Sequence, residues 1–195
     1  MTRLNRLTAV HADLSRRLDR LSGPLTPLLL RAGFAATLLG YFWKSAGTKV
    51  FDRQGTEGIF DILTLESGVY AQMFPRQFEA AGYDPSKLSA LHDLIAYAGT
   101  LAEFVLPLLI VVGLLTRLAA LGMIGFVIVQ TATDVLGHGA DPGRLFDTRY
   151  DLIDERTLWV VLFVLLVLRG AGALSLDRLA GLETPLATAP VAHPA

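Results

Sequence analysis

Glu103 stands in the middle of a stretch, 91–115, in which almost every neighbour is apolar. An ionisable group in such surroundings is costly unless it turns toward a partner inside the protein, so it marks a place where protons or polar ligands could be handled. Gln130 and Asp134 occupy a similar setting in 118–137, and Arg31 and Lys44 lie near opposite ends of 25–46. Helical spacing decides which of these can meet. His92, Ala96, Gly99 and Glu103 fall on one face, because eleven residues make almost three turns. Gln130, Asp134 and His138 recur every four residues and form a second stripe. Asp134 then lies about 6 Å below His138, and Glu103 about 16 Å below His92, at the helical rise per residue. Asp93 and Tyr97 flank the first stripe, and Lys44 and Lys49 enter from the end of the first apolar segment. Together these residues predict a polar pocket open to one face, with Glu103 as its floor.

Several chemistries fit that pocket. A quinone head group needs a hydrogen-bond donor, an acceptor and aromatic walls, which Lys49, Glu103, Gln130, Asp134 and Tyr97 could supply. A metal could be held by His92 and His138 with Asp93 or Asp134 as carboxylate ligand, and a bis-histidine haem would use the same pair. Each residue also has a structural role open to it. Glu103 could be a buried carboxyl tied to a neighbouring helix, and Lys44 with Asp134 a structural ion pair. The histidines could be ordinary interfacial residues, and Arg31 could snorkel to the inner surface. The chain has no cysteine, which excludes disulfides, thiolate ligands and thiol redox chemistry. No Walker loop, GxGxxG, GxSxG or HExxH motif occurs. With 17 basic and 18 acidic residues the net charge is −1, so there is no basic excess to neutralise a nucleic acid, and none is expected as a partner.

The elements that must position these groups belong in a bilayer. Of 195 residues, 52% are hydrophobic and only 18% charged, and the mean hydropathy is +0.48. A spanning helix needs about 20 mostly apolar residues. Four segments qualify: 25–46, 91–115, 118–137 and 158–174. The small residues Gly99, Gly113, Ala119, Ala120, Gly122 and Gly125 would let such helices pack closely. Before them, 1–22 reads as an amphipathic interfacial helix. Leu4, Leu7, Val10, Leu14, Leu18 and Leu21 make its apolar stripe, and Arg3, Arg6, Arg16, Arg17 and Arg20 lie off it. Ser22-Gly23-Pro24 is expected to break this helix. The five arginines place the N-terminus in the cytoplasm, and four spans return the C-terminus to the same side. The connection 47–90 then faces outward, with Ile59, Phe60, Leu63, Val69, Tyr70, Met73 and Phe74 in amphipathic pieces on the membrane surface. The tail 181–195 reads as disordered. The expected fold is an all-α integral membrane protein, a four-transmembrane-helix bundle with an N-terminal amphipathic interfacial helix, in contact with the lipid bilayer.

One ordered set of short motifs carries a resemblance. Gly47-Thr48-Lys49-Val50-Phe51 ends the first apolar segment, and Ala102-Glu103 lies within the second. Gly113-Leu114-Leu115-Thr116-Arg117 forms the turn to the third. Asp154-Glu155-Arg156 precedes the fourth, and Gly170-Ala171-Gly172-Ala173-Leu174-Ser175-Leu176-Asp177 closes it. Over about 25–180 this pattern resembles the DoxX family of bacterial inner-membrane proteins. The resemblance implies a four-helix bundle in the bacterial inner membrane. It also implies an accessory or subunit of a membrane redox system, with a protein partner or a homo-oligomer and a quinone as candidate small molecule. The family glutamate carries over to Glu103, and the lysine after the first span to Lys49. A second implied class is a non-catalytic copper-handling or transport partner using His92, Asp134 and His138. A third is a membrane scaffold that docks a peripheral enzyme through 47–90.

Overall fold

The structure is a computed structural model in which residues 3–50, 65–145 and 151–182 are described. Among these residues there is helix and turn but no strand. Helix α1 runs from Arg3 to Thr37, and α2 from Leu39 to Val50. The expected break at Ser22-Gly23-Pro24 is absent, and Pro24 and Pro27 sit inside α1. Proline keeps a helix-compatible φ but removes one backbone donor. Packing offsets that loss at Pro27, which is fully buried. The Pro27 ring lies where a Cβ on Gly172, at φ +80°, would come within 2.7 Å. The chain bends instead at Leu38, by 44° between the two helices. Its hydrogen bonds survive the bend, since Leu38 N donates to Phe34 O at 2.8 Å and Phe42 N to Leu38 O at 3.1 Å.

Two short helices follow, α3 (Gly68–Met73) and α4 (Pro75–Ala80). The membrane-surface placement expected for this region is corrected here. Val69, Tyr70 and Phe78 are buried against Ala96 of the next long helix, so their apolar faces point into the protein. Ile59, Phe60 and Leu63 lie outside the described residues. Helix α5 (Ala90–Val112) starts with a capping box between Ser89 and His92 and ends at Gly113, φ +70°. After a tight turn come α6 (Thr116–Ala132) and one π-helical turn, Thr133–Gly137. Helix α7 spans Leu152–Arg169. It starts earlier than the expected 158 because Asp151 and Asp154 form a capping box. It stops at Arg169 because Gly170, at φ +74°, turns the chain, so 170–174 does not extend it. A last short helix, α8, is Leu176–Leu179. Of the tail, 183–195 lies outside the described residues.

The α1–α2 rod, α5, α6 and α7 pack around one core of Phe34, Phe42, Ile110, Met123, Phe163 and Leu166. By length and composition α5 and α6 with its π turn are able to cross a membrane, and the bent α1–α2 pair is a third when taken as one. Leu108, Leu118, Ile128 and Leu168 point outward, as expected of side chains that meet lipid rather than water.

Arg31 does not snorkel. It is buried, and its guanidinium donates to the carbonyls of Ile110, Val111, Ala171 and Leu174. The last carbonyls of a helix have no intrahelical partner, so the α5 end needs such a donor. Opposite it, the Asp177 carboxylate accepts from Leu115 N and from Thr116 N at 3.0 Å, capping the start of α6. Asp177 N donates to Gly113 O at 2.7 Å. The 113–117 turn and the 170–177 segment are thus two halves of one closure.

Candidate functional site

Glu103 faces the sister helices. Only 3% of it is exposed, and the same is true of Lys49. Lys49 Nζ donates to Glu103 Oε2 at 2.6 Å and Oε1 at 2.8 Å, and to Ser45 Oγ at 3.0 Å. The pairing follows from local chain geometry. Helix α2 continues past the expected end at 46 to Val50, which brings Lys49, four residues after Ser45, onto the face turned toward α5. Pro107 lies four residues after Glu103 and has no N–H to donate to the Glu103 carbonyl, so α5 is locally loosened there.

Above this pair a cleft of about 540 Å³ opens between α2, α3, α5 and α6. Lys49, Glu103, Gln130, Asp134 and His138 all line it, together with Ser45 and Gln72. Gly99, Ala102, Leu106, Gly122, Gly125, Phe126 and Val129 make its apolar walls. Two of its glycines serve close packing: a Cβ on Gly99 would sit 2.7 Å from Met73 Cε, and one on Gly122 would sit 3.0 Å from a Leu106 methyl. Gln130 Nε2 donates to Tyr41 Oη at 2.9 Å, and its Oε1 is buried with no partner among the described residues.

The end of α3 and Phe74 after it roof the cleft. Met73 and Phe74 line it from above. Tyr70 Oη donates to Asp93 Oδ1 at 2.6 Å, and His138 Nε2 lies 2.9 Å from Gln72 O. Burial, then the hydrogen bond and negative charge of Asp93, push the Tyr70 phenol up to about 12.

Not every expected residue meets the others. Tyr97 is half-buried and does not line the cleft. His92 is occupied at the start of α5, where Nδ1 lies 2.8 Å from Ser89 Oγ and the ring packs edge-on to Phe74. His138 lines the cleft and His92 does not. Among the described residues no group of three or more His, Cys, Asp or Glu is placed to hold a metal. The Lys44–Asp134 pair is corrected: Lys44 is exposed, and Asp134 accepts from Arg156 Nη2 at 2.8 Å. Arg156 also stacks over Trp159, 5.1 Å from the ring centre. Sequence reasoning set Arg156 ahead of the fourth segment, whereas that residue lies inside α7, which starts at Leu152. It missed Ser45 altogether; the four-residue spacing to Lys49 was the available signal.

Apolar helices of membrane-crossing length, packed around a cleft with a buried ion pair at its base, define an all-helical integral membrane protein. The chain belongs to the DoxX family, whose model matches residues 26–138. The match takes in Lys49, Glu103, Gln130, Asp134 and His138, and ends before Asp154-Glu155-Arg156 and 170–177. No curated protein and no solved structure matches the chain.

Proposed function

We propose that this chain crosses the bacterial inner membrane four times, through α1–α2, α5, α6 and α7, with both termini in the cytoplasm. In this reading it serves a membrane redox system as an accessory or subunit, together with a protein partner or further copies of itself. Its cleft takes the head group of an amphiphilic small molecule of the quinone class. The observation that carries the reading is the Lys49–Glu103 pair, buried at the base of a cleft whose other walls are largely apolar. The volume lies within the range of ligand pockets, roughly 300–1,000 Å³.

The residues present fit such a ligand. The unpartnered Gln130 Oε1 accepts a hydroxyl from the reduced form, and Phe126, Val129 and Leu106 accommodate a ring and the start of an apolar tail. A bound quinone supplies coupled two-electron, two-proton chemistry. The chain's own part is to hold a proton at Glu103, to fix that carboxylate with Lys49, and to exclude water with the Met73–Phe74 roof. The metal-handling reading has less in the geometry to support it, because His92 and His138 are engaged by different partners.

The test is equilibrium binding of a short-chain ubiquinone analogue, oxidised and reduced, to the detergent-purified chain. Glu103→Gln should weaken binding at least tenfold, and Gln130→Leu should weaken the reduced form selectively. Equal binding by the parent and both variants would remove the proposal.

A further inference from the structure

The first half of α1 leaves the bundle with an uncovered apolar seam. Leu7, Leu14, Leu18, Leu21 and Leu25 are 43% to 68% exposed. The spacing is a heptad. Leu7, Leu14 and Leu21 repeat every seven residues, and His11, Leu18 and Leu25 repeat every seven residues four places behind them. Apart from Val10 at its edge and His11 within it, this is the two-in-seven stripe of a coiled-coil seam, narrower than the broad apolar face of a helix lying in a membrane surface. The segment also has no aromatic residue before Phe34, whereas interfacial helices commonly anchor through tryptophan or phenylalanine.

The geometry of α1 separates the two readings. The helix is continuous from Arg3 to Thr37, and its second half is part of the bundle. An uninterrupted helix kinks by a few tens of degrees at a proline, not by the right angle needed to lie flat on the bilayer. Provided that α1–α2 crosses the membrane, as in the reading above, the first half projects from it and the seam stands in water.

We propose that this projecting half pairs with the same segment of a second copy, forming a parallel two-stranded coiled coil. Chains inserted in one membrane in one sense are already parallel and concentrated, which favours that arrangement. The charges permit it. In this register Arg17 occupies the edge position facing Ser22 of the second copy, and Val10 faces its Ser15, so no like charges oppose each other across the seam. Arg17 is drawn back along its own helix by Asp13, at 2.8 Å. Arg6, Arg16, Asp19 and Arg20 point away from the seam. From Leu7 to Leu25 the paired helices bury on the order of 1,000 Å², the size of a modest specific interface. His11 sits at a core position, where a polar residue fixes register at a cost in stability.

The chain has no cysteine, so single thiols report directly. In reconstituted bilayers, mild oxidation of Leu14→Cys or Leu18→Cys should give disulfide-linked dimers, while Arg16→Cys, on the outer face, should give at least tenfold less. Adding Leu21→Glu to Leu14→Cys should abolish the link, and adding His11→Leu should increase it. Absence of dimers from the seam cysteines, or equal yield from Arg16→Cys, overturns the proposal. A fluorophore on Leu14→Cys should resist quenching by brominated lipids, with Leu108→Cys as the quenched control. Quenching as strong as the control places the stripe in the bilayer and also overturns it. None of these readouts depends on Glu103 or on quinone, so failure here leaves the ligand reading standing.

Discussion

Breaking the Lys49–Glu103 pair tests whether the cleft base is held by electrostatics or merely tolerates two charges. Both side chains are only 4% exposed, so water does little to screen either one. Two charge-assisted bonds, at 2.6 and 2.8 Å, join them. Lys49→Met leaves the Glu103 carboxylate without its cation, and Glu103→Leu leaves the ammonium with only Ser45. Removing one member of a buried pair costs about 3–5 kcal/mol, because the survivor is stranded in a poor solvent for charge. Replacing both members with apolar residues of similar volume is often neutral or stabilising. The expectation is therefore that each single variant loses about 3 kcal/mol, while Lys49→Met with Glu103→Leu lies within about 1 kcal/mol of the parent, a coupling of about 5 kcal/mol or more. Reversible unfolding in mixed micelles, followed by the fluorescence of Trp43 and Trp159, measures all four corners of the cycle. A double variant as unstable as the sum of the singles would refute the reasoning, since it would mean that the two groups do not depend on each other.

Gly113→Ala should cost about 2 kcal/mol or more by the same assay, because φ is +70° and a Cβ would sit 2.7 Å from Arg31 Cζ and Ser175 Cβ. Asp177→Ala removes the cap of α6 and should cost about 1–2 kcal/mol, with Asp177→Asn recovering part of it. The Tyr70 phenol ionises at about 12 in the folded chain and near 10.0 in the unfolded one. Its contribution is therefore complete below pH 10 and is lost as pH rises from 10 toward 12, because only the unfolded form releases the proton there. Absorbance titration at the phenolate band should show one late-titrating tyrosine that disappears in Tyr70→Phe.

Much of the site could be read from residue spacing, because the first stripe lies on one long helix and the second runs off α6 into a single π-helical turn that keeps Asp134 and His138 on the cleft side. Gln130, Asp134 and His138 share one wall of the cleft, and Glu103 faces inward from the other, as a period of 3.6 requires. What the sequence could not show depended on where helices bend, stop and cross. Lys49 finds Glu103 because α2 runs on to Val50 after the 44° bend at Leu38, and neither its end nor the bend's direction is written in the local residues. Ser22-Gly23-Pro24 signalled a break, but α1 runs through it, and Pro27, one turn further on, packs against Gly172 inside the bundle. Arg156 became a partner of Asp134 only once the Asp151–Asp154 capping box had moved the start of α7. Tyr97 failed for a simpler reason: it flanks the inward stripe by about 100° on the helix wheel, too far to share its face.

The placement of the charges bears on whether the cleft is a pocket or a passage. Below Glu103 the bundle is filled by Ile110, Phe34, Phe163, Met123 and Leu166, all buried. Beneath them Arg31 gathers the carbonyls of Ile110, Val111, Ala171 and Leu174, and Asp177 ties the α5–α6 turn to the segment after α7. Moving a solute through this end would require breaking several buried hydrogen bonds together, at about 1 kcal/mol or more each. Above Glu103 the roof is held differently. Tyr70 bonds Asp93, His138 lies against Gln72 O, Glu66 N donates to Lys49 O at 2.9 Å, and Val69, Tyr70 and Phe78 are buried against Ala96. The two ends therefore differ in kind: one is closed by charged side chains bonded to backbone groups, the other by packed apolar rings, and the cleft lies under the second.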